Sequence, residues 1–118
     1  LESGSERISI VCAGHDDEED LDDSLVAGAL AAEIARLGEG VEFEGAVKLA
    51  LNLSRAFPDP MEALWISSAG RALRAQEQAD DIAIASMIGH SHRVPVLRGA
   101  EKGRHADLFH FEAESFPP

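Results

Sequence analysis

Arg7-Ile8-Ser9-Ile10-Val11-Cys12-Ala13-Gly14, followed after an acidic loop by Asp22-Asp23-Ser24-Leu25-Val26-Ala27-Gly28-Ala29-Leu30, is the stretch on which the fold turns. Ile8, Ile10 and Val11 are apolar and β-branched, and a short run of this kind bounded by glycine predicts a buried strand at about 7 to 12. Asp22 or Asp23 then offers a helix N-cap, and the Ala- and Leu-rich run behind it has helical spacing. A strand, a turn at Gly14 and a helix start form a common ligand-holding place in α/β proteins, because the free N–H groups of the helix point at anions. The turn is filled by His15, Asp16, Asp17, Glu18, Glu19 and Asp20. Such a loop repels a phosphate unless a cation accompanies it, so a site here is expected to be metal-assisted.

Outward from this stretch, the pattern is mostly helical. A helix is expected over about 22 to 37, with Leu25, Ala29, Ala32 and Leu37 on one face and Gly38 as its left-handed cap. A second runs from about Glu44 to Ala56, and Phe57-Pro58-Asp59-Pro60 breaks the chain. A third covers about Met61 to Ser67; Ser67-Ser68-Ala69-Gly70 interrupts it, and Arg71 to Gln76 resumes it. Asp80-Asp81 then caps a helix through Ile82, Ile84, Ala85, Met87 and Ile88. Arg93 to Arg98 reads as an edge or extended strand, since Pro95 cannot donate to a ladder. Leu108 to Glu112 alternates and reads as a closing strand.

Length and composition bound the rest. The 118 residues suffice for one domain, 1–118, and the net charge of −12 argues against nucleic acid and anionic membrane as partners. No apolar run approaches the roughly 20 residues that span a bilayer. The lead-in at residues 1 to 6 carries no signal-peptide pattern. The single cysteine, Cys12, excludes an internal disulfide and suits a reducing compartment, so cytoplasm is the expected location. Few strands beside four or five helices make a lopsided inventory. The expected architecture is therefore a layered α/β/α fragment that completes a larger sheet, begun in an upstream half or a partner subunit.

Three groups could carry chemistry. Asp22 and Asp23 can hold Mg²⁺, which takes one or two carboxylates and keeps its waters; the plainer alternative is a helix cap beside a solvated loop. In Ser67-Ser68-Ala69-Gly70-Arg71, small residues let a backbone approach a ligand and the arginine can fork to an anion; alternatively the stretch only interrupts a helix. His90 and His92 form an H-x-H pair, with His105 and His110 downstream, but they lack companion zinc ligands and read as surface histidines. Cys12 has no cationic neighbour in sequence and reads as a buried strand thiol. No Ser-His-Asp arrangement, P-loop or dinucleotide fingerprint is present.

Several of these stretches, in this order, resemble the magnesium-dependent 2-phosphosulfolactate phosphatases associated with coenzyme M biosynthesis. They are Ile10 to Gly14, Leu21-Asp22-Asp23 where that family tends to have Leu-Glu-Asp, Ala27-Gly28-Ala29, Ser68 to Leu73, Asp81-Ile82 and Val94 to Leu97. The likeness covers the C-terminal half of the family over about residues 7 to 98. Ala69 stands where a His is common, and Ala85 and Gly89 where a Cys and an Asp are expected. The resemblance implies hydrolysis of a small sulfonated phosphate monoester, with this chain supplying part of the site and a homo-oligomer as its assembly. Asp22 and Asp23 would serve the metal and the chemistry. Gly14, Ser68, Gly70 and Arg71 would bind the anionic substrate, and Asp81 would cap the next helix or orient Arg71. The competing expectation is a diverged or truncated non-catalytic α/β module that pairs with another chain.

Overall fold

The computed structural model describes residues 7–15, 18–104 and 106–115. Asp16, Asp17 and His105, named above, lie outside them. Among the described residues five helices are followed by a two-stranded antiparallel sheet, a small α/β fragment. The chain divides into two compact units, a helical one ending at Ser86 and a hairpin beginning at Met87.

The helical unit opens with α1 (Leu21–Leu37), whose alanines favour helix and whose first turn carries Asp22 and Asp23 against the positive end of the dipole. Its N-cap is neither of these but Asp20, whose Oδ1 accepts from the Leu21 N–H at 2.8 Å. Gly38 ends the helix in an extended conformation, φ −114°, and the left-handed glycine is Gly40. α2 (Gly45–Ala56) packs along α1. The two backbones approach closely: a Cβ built on Gly28 would fall inside the Ala50 carbonyl oxygen.

Pro60 begins α3 (Pro60–Ile66), where its missing N–H costs nothing, and Asp59 caps it by accepting from the Met61 N–H at 2.9 Å. Ser67 ends α3 and starts α4 (Ser68–Ala75). Its hydroxyl donates to the Leu64 carbonyl and accepts from the Gly70 N–H, so one side chain satisfies both helix ends. The expected interruption is thus a single-residue hinge between two helices. α5 (Ala79–Ala85) starts one residue before the expected acidic cap and stops before Met87 and Ile88, and Gln78 holds its N-cap position. Among the described residues of this unit the buried apolar ones are Leu25, Ala31, Leu51, Ala63 and Ile82.

The expected strand at 7 to 12 is not formed. β-branched side chains favour extended backbone, but a strand exists only where a second one pairs with it, and among the described residues none does. Cys12 is accordingly exposed rather than buried.

The hairpin pairs β1 (Arg93–Glu101) with β2 (Leu108–Ser115). Pro95, Leu97 and Ala100 stand opposite Ala113, Phe111 and Phe109 on one face, while Val94 and Val96 lie on the other, opposite Glu114 and Glu112. The register shifts between Leu97 and Gly99. Arg98, at that irregularity, forms ion pairs with Glu112 and Glu114.

Candidate functional site

The heads of α1 and α4 meet at Asp20. This residue is only 8% exposed. Its Oδ1 accepts from the Leu21 N–H at the start of α1 and from the Ser68 N–H at the start of α4, at 3.3 Å. Burial alone would raise its carboxyl. The N–H groups of Leu21 and Ser68, a hydrogen bond from Asp22 and the nearby His15 outweigh that and hold it below the usual carboxylate range. Sequence reasoning placed Asp20 in the acidic loop and missed this role. The signal was available in principle, since Asp20 directly precedes Leu21, but Asp22 and Asp23 are equally good caps by residue type.

Through this contact the predicted residues are brought partly together. Asp22, Ser67 and Gly70 line one cavity of about 80 Å³, closed by Leu64, Leu73 and Ile82 among others. The Oδ1 of Asp22 is buried there and has no hydrogen-bond partner. Asp23 turns the other way: its Oδ2 accepts from the Gly14 N–H at 2.6 Å, tying the turn to the helix. Gly14 has φ +71°, and a Cβ there would meet the Glu18 carbonyl oxygen, so glycine is required. The Arg71 guanidinium donates to the Ile66 carbonyl at 2.6 Å and to the Ser68 hydroxyl at 3.1 Å while remaining exposed. An arginine has five N–H donors, so several stay available to a ligand. Asp81 is exposed in the first turn of α5; its N–H donates to the carbonyl of the N-cap residue Gln78, but its side chain neither caps the helix nor bonds Arg71. Arg74 stacks on Trp65, 4.7 Å from the ring centroid, and donates to the Trp65 carbonyl.

Burial, and then the charges of Asp20 and Asp23, raise the Asp22 carboxyl above its ordinary value of 3.8 despite nearby backbone N–H groups. The folded state therefore binds the proton more tightly than the unfolded one. From Asp22, stability is greatest below 3.8 and falls as pH rises through the raised folded value. Asp20 acts with the opposite sign: its contribution is present above 3.8 and is lost as pH falls through its lowered folded value. Asp22→Asn should consequently raise the melting temperature at pH 7 and leave it little changed at pH 3, as read by circular dichroism. A lower melting temperature at pH 7 would mean that the ionised carboxylate is satisfied after all.

Among the described residues there is no group of three or more His, Cys, Asp or Glu side chains placed to hold a metal ion. His90 and His92 are exposed, and His110 lies 3.6 Å from Glu101 across the hairpin. No helix among the described residues is long and apolar enough to cross a membrane.

Comparison with known proteins agrees with the resemblance read from the motifs. The family model described as 2-phosphosulpholactate phosphatase matches residues 1–100. A probable 2-phosphosulfolactate phosphatase of Thermus thermophilus is 42% identical over 98 residues, which is 83% of this chain and 41% of the relative. A probable 2-phosphosulfolactate phosphatase of Deinococcus radiodurans is 37% identical over 97 residues, 82% of this chain and 40% of the relative. This chain thus spans about 40% of the length of the curated relatives it matches.

Proposed function

The chain belongs to the 2-phosphosulpholactate phosphatase family, and on that premise we propose that it supplies part of the site of a magnesium-dependent hydrolase acting on a small sulfonated phosphate monoester such as 2-phosphosulfolactate. Water would attack phosphorus and the P–O bond to the substrate carbon would break, releasing inorganic phosphate and the alcohol. The observation that carries this reading is the Asp20 contact. It draws Asp22 at the head of α1 and the Ser67–Gly70 turn to one cavity, across the 48 residues between Asp20 and Ser68.

Asp22 would hold Mg²⁺ through its buried unpartnered oxygen, and Asp23, whose carboxylate turns to the Gly14 N–H, would act from outside the ion's ligand shell. One carboxylate suits an ion that takes one or two and keeps its waters, the remaining ligands coming from the rest of the site. When bound, the ion would neutralise the phosphate and lower the barrier to attack by water. Arg71 and the Ser68 hydroxyl would bind the substrate's anionic groups, and Gly70 would keep the backbone low beside them. The cavity at Asp22 is well below the roughly 300 Å³ of a small-molecule site, so the substrate would lie outside it, on the exposed side of Arg71. The partial walls are consistent with a site completed by further polypeptide, from the rest of the family fold or from another subunit.

The test is phosphate release from 2-phosphosulfolactate across a Mg²⁺ titration, for this chain alone and for the chain joined to the remainder of the Thermus relative. Arg71→Ala in the active form should raise KM about tenfold or more, the usual worth of a charge-assisted contact to an anion. Unchanged KM and kcat would remove Arg71 from the site. Silence of both forms, with folding confirmed, would leave a diverged, non-catalytic α/β module.

A further inference from the structure

Arg71 and Arg74 lie three residues apart on α4, a spacing that puts both on one face of the helix. Arg71 donates to the Ile66 carbonyl at 2.6 Å and Arg74 to the Trp65 carbonyl at 3.2 Å, so the two guanidiniums reach neighbouring carbonyls at the end of α3. Their acceptors are these carbonyls and the Ser68 hydroxyl, all uncharged. Among the described residues neither arginine forms an ion pair with a carboxylate, although the chain has 22 acidic residues against 10 basic ones. Two like charges at this spacing repel each other. Arg74 is also fixed against the Trp65 ring, and its Nε is buried without a hydrogen-bond partner. Capping α3 does not account for two such guanidiniums side by side, since uncharged donors serve as well there.

We propose that Arg71 and Arg74 form a clamp for one small molecule with two anionic groups, in which Arg74 takes the sulfonate. The pair of unneutralised guanidiniums is a matter of geometry; naming the sulfonate rests on the phosphatase reading. Arg71 bonds the hydroxyl of Ser68, whose N–H donates to Asp20 beside Asp22, so a phosphate that meets the metal belongs at Arg71. Arg74 lies farther along α4, by a rise of about 4.5 Å for three residues. Phosphorus and sulfur in 2-phosphosulfolactate are joined through one oxygen and two carbons, a reach of the same order. Each guanidinium offers forked N–H donors that suit the oxygens of phosphate and sulfonate.

Trp65 is the sole tryptophan and touches Arg74, so its fluorescence reports binding without turnover. The experiment titrates 2-phosphosulfolactate and 2-phospholactate, which differ only in the sulfonate, in the absence of Mg²⁺. Calorimetry gives the affinities of the Arg74 variants, whose fluorescence baseline changes. This chain, which carries every group of the clamp, is compared with the chain joined to the remainder of the Thermus relative. In both, the parent should bind the sulfonated ester about tenfold or more tightly than the other, the usual worth of a hydrogen bond to a charged group. Arg74→Ala should bind the two esters alike, and Arg74→Lys should recover part of the preference. Weaker binding of both esters by Arg74→Ala with their ratio kept would mean a packing role and overturn the proposal. So would a parent without preference, or a preference confined to the joined form, which would place the sulfonate on the added polypeptide. Loss of preference in Arg74→Ala with no phosphate release across a Mg²⁺ titration would sustain the clamp and refute the phosphatase reading. Phosphate release by an Arg74→Ala protein that still prefers the sulfonated ester would do the reverse.

Discussion

Gly28→Ala is expected to destabilise the helical unit by about 3 kcal/mol, the upper range for forcing an atom into a packed interface. The new methyl would occupy the position of the Ala50 carbonyl oxygen and press on the Ser54 Cβ. Backbone cannot swing aside as a flexible side chain can, so α1 and α2 would have to separate along their contact. The loss is a large share of what a small domain has in reserve. Gly45→Ala is the matched comparison, because a Cβ there meets nothing within 4 Å and the same change removes unfolded-state freedom. Thermal melts followed by far-ultraviolet circular dichroism should show Gly28→Ala far below the parent and Gly45→Ala at or slightly above it. Coincident melts for the two variants would mean that the helices do not approach as closely as described.

Gly70→Ala should have an effect of similar size, about 3 kcal/mol, for a different local reason. Its Cβ would enter the Leu64 carbonyl oxygen and crowd the Ser67 hydroxyl, the group that serves the end of α3 and the beginning of α4. Ser67→Ala removes the same cap without adding bulk and should cost only about 1 kcal/mol. The ordering of the two variants is the measurement. If Ser67→Ala proved the more damaging in urea titrations, hydrogen bonding rather than close packing would govern the α3–α4 hinge. In the active, extended form, Gly70→Ala should also abolish phosphate release, because the turn that carries Ser68 and Arg71 would no longer keep its shape.

Much of the helical unit was legible from local chemistry. Pro60 after Asp59 marks a helix start whatever surrounds it, since the proline needs no N–H and the aspartate supplies an acceptor. The alanine run behind Leu21 is helical for equally local reasons, and the alternation in Leu108 to Glu112 found its antiparallel partner. What could not be read depends on distant residues. Ile8, Ile10 and Val11 have strand chemistry, but a ladder belongs to two segments, and propensity in one cannot supply the other. Asp20, Asp22 and Asp23 are interchangeable as caps by type; only the Ser68 N–H on another helix distinguishes the first of them. Of the candidate site, the cluster of Asp22 and Gly70 and the pairing of Gly14 with Asp23 emerge in three dimensions. The placing of Asp81 outside it follows from the start of α5, which sequence reasoning set too late.

The double acceptance by Asp20 also orders events in time. The bond from the Gly70 N–H to the Ser67 hydroxyl spans three residues and can form as soon as a single turn of α4 exists. The bond from Ser68 to Asp20 closes 48 residues, so it must await the collapse of α2 and α3 into place. A contact made late contributes little to the barrier for folding and much to the barrier for unfolding. Asp20→Ala is therefore expected to leave the refolding rate nearly unchanged and to speed unfolding, as stopped-flow circular dichroism would read; slowed refolding with unchanged unfolding would mean the contact forms early.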